Sequence, residues 1–173
     1  MLTGYKNEIL LLHIIKNESG SFSIIETNLE QNKKQSGVWA MWAKDVFNTD
    51  ICLEVGQSTD IWGELDYDLS YLTKNYENES KNKRYSARRL FEFNKKFDVC
   101  ECDSNRTCAK YRNIASNYYD IRVYLIGNLN ETKEERESVE LKYAVDNNAL
   151  YWNACCKQRK EAKDYYERKT IQL

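Results

Sequence analysis

Residues 37–42 form the run GVWAMW and residues 51–56 form the run ICLEVG, and these two short apolar runs decide the fold that we expect. Apolar runs of this length, with aromatic and β-branched residues and polar flanks, are typical of β-strands. Each run carries a glycine, and the second holds a carboxylate, Glu54, near its middle. The sequence therefore predicts a strand pair in which a glycine and a glutamate have specific roles.

The segments around this pair predict further elements in the order ββ, ββ, α, α, β, α, α. Residues 7–15 and 21–27 flank the turn-like sequence KNESG and predict an N-terminal hairpin. After the second strand pair, apolar residues recur at helical spacing from Ile61 to Leu72, with Ser58, Thr59 or Asp60 as the N-cap.

The second half of the chain contributes two more helices, a strand and a charged tail. We predict a helix over residues 84–96, a cysteine-bearing loop over 98–110 and a strand over 118–127. Asn130 is a candidate N-cap for a helix over about 131–147, and the tail from residue 154 predicts a last helix. The fold class is therefore α/β, a small antiparallel or mixed sheet flanked by helices.

Composition limits the classes of partner and site. The 173-residue chain has a formal net charge of −1, so an electrostatic binding site must be a local patch. The early apolar run is short and lacks the features of a signal peptide, and no run reaches the length of a membrane span, so we expect a cytoplasmic protein without a membrane partner. Cys100, Cys102 and Cys108, with Cys155 or Cys156, have no standard zinc-site spacing, so we do not expect zinc.

The order of these motifs resembles the GIY-YIG nuclease superfamily. Residues 37–39 (GVW) stand at the first motif and residues 54–56 (EVG) at the second, followed by GQSTDI over 56–61. Glu140, with Tyr143 and Ala144, and then LYWN over 150–153 are similar to the family's closing signature. The resemblance covers residues 36–153, which leaves residues 1–35 as an added N-terminal hairpin and 154–173 as a C-terminal helix of a single domain.

The resemblance implies hydrolysis of a DNA phosphodiester with one divalent metal, Mg²⁺ or Mn²⁺, held by the helix glutamate Glu140. Asn153 matches the family's asparagine. The two tyrosine positions are Trp39 and Glu54, and an indole N–H donates a hydrogen bond but cannot accept a proton. The arginine position is Glu64, which reverses the charge that should meet the phosphate.

Two alternatives remain open at this point. In the first, the chain is a divergent metal-dependent endonuclease whose missing groups come from neighbours such as Tyr67, beside Asp68 at the family's His or Tyr position. In the second, the fold is kept but the nuclease site is lost, and the acidic former active site binds a protein partner. Either version belongs to DNA metabolism or to conflict between microbes and phages.

A basic segment over residues 81–96 is the candidate DNA-binding surface. Its candidate phosphate contacts are Lys83, Arg84, Arg88, Arg89 and Lys95. A charge run of this kind is more often a solvated helix face.

Overall fold

The computed structural model describes residues 8–28, 34–72, 81–88, 94–100, 106–127, 131–152 and 156–171. For residues 81–88, 94–100, 106–109, 156–159 and 169–170, the description covers the backbone alone. Within these ranges, none of the helices is long and apolar enough to cross a membrane.

The described elements follow one another along the chain as strands β1 (Ile9–Lys16), β2 (Phe22–Thr27), β3 (Gly37–Lys44) and β4 (Asp50–Ser58), helix α1 (Ile61–Leu69), strands β5 (Lys81–Arg88) and β6 (Asn94–Cys100), helix α2 (Arg106–Asn117), strand β7 (Asp120–Ile126), and helices α3 (Lys133–Asp146) and α4 (Cys156–Ile171). The α/β class predicted from the sequence is confirmed. Both predicted strand pairs and the strand before α3 are present, within a few residues of the predicted bounds.

The central sheet has five strands in the order β2-β1-β7-β3-β4, and every neighbouring pair is antiparallel. Strand β7 lies in the middle and joins the β1–β2 hairpin to the β3–β4 hairpin. The N-terminal hairpin is therefore an integral part of the central sheet. Strands β5 and β6 form a separate two-stranded sheet between α1 and α2 in the chain.

Helices cover both faces of the central sheet. Trp39 and Met41 of β3 belong to a core cluster with Tyr111 and Ile114 of α2 and residues of α1. Val38 and Ala40, the alternate residues of β3, belong to a second cluster with residues of α3 and α4. Because alternate residues of a strand point to opposite faces, α1 and α2 lie on one side of the sheet and α3 and α4 on the other.

Local capping explains where two of the helices begin. The side chain of Asp60 accepts a hydrogen bond from the Gly63 amide at 3.0 Å, which starts α1 at the predicted place. Helix α3 is capped by Thr132 and not by Asn130, because Thr132 and Glu135 form a reciprocal capping box. The predicted start of α3 was therefore about two residues too early.

The predicted helix over residues 84–96 is wrong. Its two ends pair with each other as antiparallel strands, with Tyr85 opposite Phe97 and Arg88 opposite Asn94. Cross-strand pairing satisfies the backbone hydrogen bonds that a helix would otherwise make, and periodicity within one segment does not reveal it. The predicted loop over residues 98–110 is also wrong in part, since β6 ends within it and α2 begins within it.

Candidate functional site

A β-bulge in strand β4 turns Glu54 toward helices α1 and α2. Met41 of β3 pairs with Glu54, and the next residue, Trp42, pairs with Cys52, so the register skips Leu53. A bulge of this kind interrupts the alternation of side chains along a strand. Glu54 therefore lies on the same face as Met41, over the core that α1 and α2 cover.

Gly56 ends the second motif because the Trp39 side chain occupies the space of a side chain there. The two residues are paired across the strands, and a Cβ atom on Gly56 would lie 2.6 Å from Trp39 Cζ2. Trp39 is 1% exposed, and its indole nitrogen has no hydrogen-bond partner among the described residues. The position that the resemblance assigns to a tyrosine is thus a buried packing residue in this chain.

Four side chains from β4, α1 and α2 meet above this strand pair. Lys110 of α2 forms an ion pair with Glu54, and both side chains are nearly buried, at 14% and 13% exposure. The Tyr111 hydroxyl lies 3.4 Å from a carboxylate oxygen of Glu54 and 3.4 Å from one of Asp68. Tyr111 is completely buried, so its single proton is shared between two long hydrogen bonds to carboxylates.

Burial makes the negative charge in this group costly. Asp68 is 8% exposed, and desolvation raises its pKa from 3.8 to about 6 against the lowering effect of Lys110. Desolvation also raises the pKa of Glu64, and repulsion from Asp68 and Glu54 adds to that rise. The pKa of Tyr111 is raised well above its ordinary value by burial, so the phenol remains protonated.

We refer to Glu54, Glu64, Asp68, Lys110 and Tyr111 as the carboxylate cluster. It contains three of the positions that the sequence predicted as catalytic: Glu54, Glu64 and Asp68. Lys110 is the cation that lowers the pKa of both Glu64 and Asp68. The cluster favours the protonated form of Asp68 up to about pH 6. A phosphate at this place would lie close to carboxylates, and like charges would repel it.

Glu140 lies on the other side of the sheet. It belongs to α3, and its carboxylate accepts a hydrogen bond from the Trp152 indole nitrogen at 2.9 Å. Trp152 is 5% exposed and belongs to the core cluster beneath α3 and α4. The structure thus separates Glu140 from Glu54 and Asp68 by the thickness of the sheet.

The remaining predicted site residues are Tyr67, the basic residues of β5 and β6, and two residues outside the described part of the chain. Tyr67 of α1 is 56% exposed, and its hydroxyl lies 2.8 Å from the Tyr71 hydroxyl. Asn153 and Arg89 lie outside the described residues. The other predicted DNA contacts, Lys83, Arg84, Arg88 and Lys95, belong to strands β5 and β6.

These positions do not fit the divalent metal site that the resemblance implies. Among the side chains that the structure describes, no group of three His, Cys, Asp or Glu residues is arranged so that it could hold a metal ion. Mg²⁺ needs several oxygen ligands around one point, and here Glu54 is paired with Lys110 while Glu140 is bonded to Trp152. The cysteines considered for zinc have no described side chains.

Lys110 and Tyr111 are the members of the cluster that the sequence did not predict, because the predicted loop over residues 98–110 includes Lys110 and no element is predicted for Tyr111. A helical signal was nevertheless present, since Tyr111, Ile114, Ala115 and Tyr118 recur at intervals of three and four residues. Tyr111 and Ile114 are fully buried against the sheet. Recognising that spacing would have placed Lys110 beside the motif strands.

From β3 to α3 the elements follow the order β3, β4, α1, β5, β6, α2, β7 and α3, so two strands stand between α1 and α2. Comparisons of the chain with protein-family models, with curated proteins and with solved structures found no match.

Proposed function

We propose that this chain is a GIY-YIG-type protein of DNA metabolism or microbe–phage conflict that acts by binding and does not cleave DNA through a metal-dependent mechanism. The β3–β4 strand pair, the glycine at the second motif and the helix order support the scaffold. The side chains at the carboxylate cluster support the absence of DNA hydrolysis.

The observation that carries this proposal is the ion pair between Glu54 and Lys110. Glu54 stands where the resemblance implies a tyrosine that takes part in the chemistry. In this chain that position is neutralised by a lysine and is 13% exposed, so it has little freedom to meet a substrate.

Charge at the neighbouring positions supports the same conclusion. Glu64 and Asp68 stand where an arginine and a His or Tyr would contact the phosphate. A unit charge at 4 Å from another contributes about 4 kcal/mol at an effective dielectric constant near 20, and here the sign is repulsive. Such a site opposes the approach of a phosphodiester and does not stabilise its transition state.

A nuclease assay with matched variants tests this proposal. Purified protein is incubated with supercoiled, linear, single-stranded and modified DNA in the presence of Mg²⁺ or Mn²⁺. We expect no cleavage above the level of the Glu140→Gln variant. The control is Glu134→Gln, which removes an exposed carboxylate from the same helix. Metal-dependent cleavage that is lost in Glu140→Gln and kept in Glu134→Gln would overturn the proposal.

A basic protein partner is a second candidate, and the surface of α1 favours it. Helix α1 and its cap expose Asp60 and Asp66 and contain no lysine or arginine. Tyr67 is 56% exposed on the same helix, and an exposed tyrosine among polar residues is common at protein interfaces.

Photo-crosslinking tests this second candidate. A photoreactive residue in place of Tyr67 should capture a basic protein, and the charge reversal Asp66→Lys should prevent that capture. The control places the same photoreactive residue at Glu161, an exposed position of α4. Equal capture from both positions would show that the contact is not specific to α1.

A further inference from the structure

The loop between β3 and β4, residues 45–49, carries two adjacent apolar side chains that are almost fully exposed. Val46 is 78% exposed and Phe47 is 83% exposed. Single apolar residues on a surface are ordinary, but two neighbours at the end of a hairpin form a contiguous apolar projection. We call residues 45–49 the hairpin tip and consider it as a contact surface.

Hydrogen bonds within the hairpin tip fix its backbone. The Asp45 carboxylate accepts hydrogen bonds from the amides of Phe47 and Thr49, each at 2.9 Å. The Asp45 amide donates to the Thr49 carbonyl at 3.1 Å, and the Asn48 amide donates to the Asp45 carbonyl at 2.9 Å. Asn48 has a φ of 61°, a left-handed conformation that asparagine tolerates better than most residues. The tip is therefore a defined turn.

Tyr119, just before β7, holds the hairpin tip from outside. Its hydroxyl donates a hydrogen bond to Asn48 Oδ1 at 3.1 Å, and its amide donates to the Lys44 carbonyl at 3.2 Å. A segment that is already fixed in one conformation loses little conformational entropy when it binds a partner. The tip thus presents Val46 and Phe47 in a form that is ready to bind.

The charges at the base of the hairpin tip restrict the class of partner. Lys44 Nζ lies 3.3 Å from an Asp50 oxygen, and Arg122 Nη2 lies 2.7 Å from the same oxygen. Arg122 Nε also lies 3.4 Å from Asp120. With Asp45, these residues comprise three carboxylates and two cations, a net charge of −1. Nucleic acid and anionic lipid surfaces would therefore meet paired cations and a net negative charge.

We propose that the hairpin tip docks another protein by inserting Phe47 into an apolar pocket that has a basic rim. Aromatic side chains that fill a pocket in the middle of an interface contribute much of its binding energy. The residues that follow Phe47, which are Asn48, Thr49 and Asp50, are polar and exposed, as is typical of the rim of an interface. The net negative charge at the base of the tip complements a basic rim on the partner.

This surface is separate from the acidic surface of α1. Gly37 pairs with Ser58 just before α1 begins, whereas Lys44 pairs with Asp50 beside the hairpin tip. A strand of eight residues spans about 25 Å, so the tip and the start of α1 lie at opposite ends of the β3–β4 hairpin. The inference goes beyond the proposed function, and it can hold or fail whether or not the chain cleaves DNA.

The test begins with a photoreactive residue in place of Val46 in the full chain, which leaves Phe47 unchanged. After irradiation in source cells, the captured protein is identified by mass spectrometry, purified and titrated against the wild-type chain by calorimetry. The control places the photoreactive residue at Lys163, an exposed position of α4. We expect one protein to be captured from position 46 and not from position 163.

Binding of the purified partner then tests the role of Phe47. We expect Phe47→Ser to weaken the affinity at least tenfold and Phe47→Leu, which keeps an apolar side chain, to weaken it less. The matched control is Ile171→Ser, which removes an apolar side chain that is 84% exposed at the end of α4 and should leave the affinity unchanged. Raising the salt concentration from about 50 to about 200 mM should weaken binding, because the rim contact is between opposite charges.

Any of four results would overturn the inference. The first is no capture from position 46 above the level of position 163. The second is a partner that binds the Phe47→Ser chain as tightly as wild type, or whose affinity does not fall with salt. The third is binding to phosphatidylcholine or phosphatidylserine vesicles that Phe47→Ser abolishes. The fourth is self-association of the chain that the same variant abolishes, which would make a second copy the occupant.

Discussion

The substitution Asp68→Asn should stabilise the protein at neutral pH and have little effect in acid. The folded state holds the Asp68 pKa at about 6, against 3.8 for the ordinary side chain. Between these values the folded protein binds more protons than the unfolded chain, so stability falls as pH rises through this window. Below about pH 3.8 the stabilising contribution is fully present, and above about pH 6 it is lost.

The gap between 3.8 and about 6 corresponds to about 3 kcal/mol. Water near the site screens part of this penalty. We therefore expect the stabilisation of the variant relative to wild type, measured as the free energy of unfolding, to be larger at pH 8 than at pH 4 by about 1 to 3 kcal/mol. An asparagine at position 68 keeps an oxygen that can accept a hydrogen bond from the Tyr111 hydroxyl. Its neutrality also relieves the repulsion that raises the pKa of Glu64, which acts in the same direction.

Urea unfolding followed by tryptophan fluorescence at about pH 4 and about pH 8 measures this difference, on either side of the isoelectric point near 6.0. The control is Asp66→Asn, which removes an exposed carboxylate from the same helix and reports the effect of helix charge alone. If the gain from Asp68→Asn were the same at both pH values, or equal to that of the control, the burial argument would be refuted.

Three further predictions concern the scaffold and the ion pair. Gly56→Ala should destabilise the protein by about 1–3 kcal/mol, because the new Cβ would lie 2.6 Å from the Trp39 ring, and this cost in urea unfolding should shrink when Trp39 is replaced by Phe. Lys110→Met should cost about 3 kcal/mol by leaving the buried Glu54 carboxylate unpaired, and the double variant Lys110→Met/Glu54→Met should recover most of that cost in urea unfolding; no recovery would contradict the ion pair's role. Asp60→Ala should cost about 1 kcal/mol through loss of the α1 cap, whereas an unchanged midpoint would show that the cap is dispensable.

The elements that the sequence predicted well are those whose signals lie within one short segment. The apolar runs at β3 and β4, the cap at Asp60 and the strand at β7 each combine a local pattern with a local boundary. Such signals do not depend on a distant partner. The α/β class followed from their order.

The failures depend on pairing or on competition between neighbouring signals. Residues 84–96 hold basic and aromatic residues that are compatible with a helix, and only the pairing of Tyr85 with Phe97 decides for strands. The bulge at Leu53, which aims Glu54 at α1 and α2, arises from the register between two strands. A single sequence does not contain that register.

The candidate site was predicted in part for the same reason. The motif order identified Glu54, Glu64 and Asp68 as neighbours, and the structure places them together. It did not identify Lys110, which the predicted loop over residues 98–110 includes. The side of the sheet on which Glu140 lies depends on how α3 crosses over β3 and β4, and helical periodicity does not specify that crossing.

The central position of β7 has a consequence for folding during synthesis of the chain. The β1–β2 and β3–β4 hairpins are closed by short connections. Strand β1 of the first and strand β3 of the second also pair with β7, which follows β3 by about 80 residues. During synthesis, the edges of β1 and β3 that pair with β7 therefore stay unpaired until residues 120–126 have left the ribosome. Contacts so distant in sequence slow folding, and unpaired edges invite association with other chains.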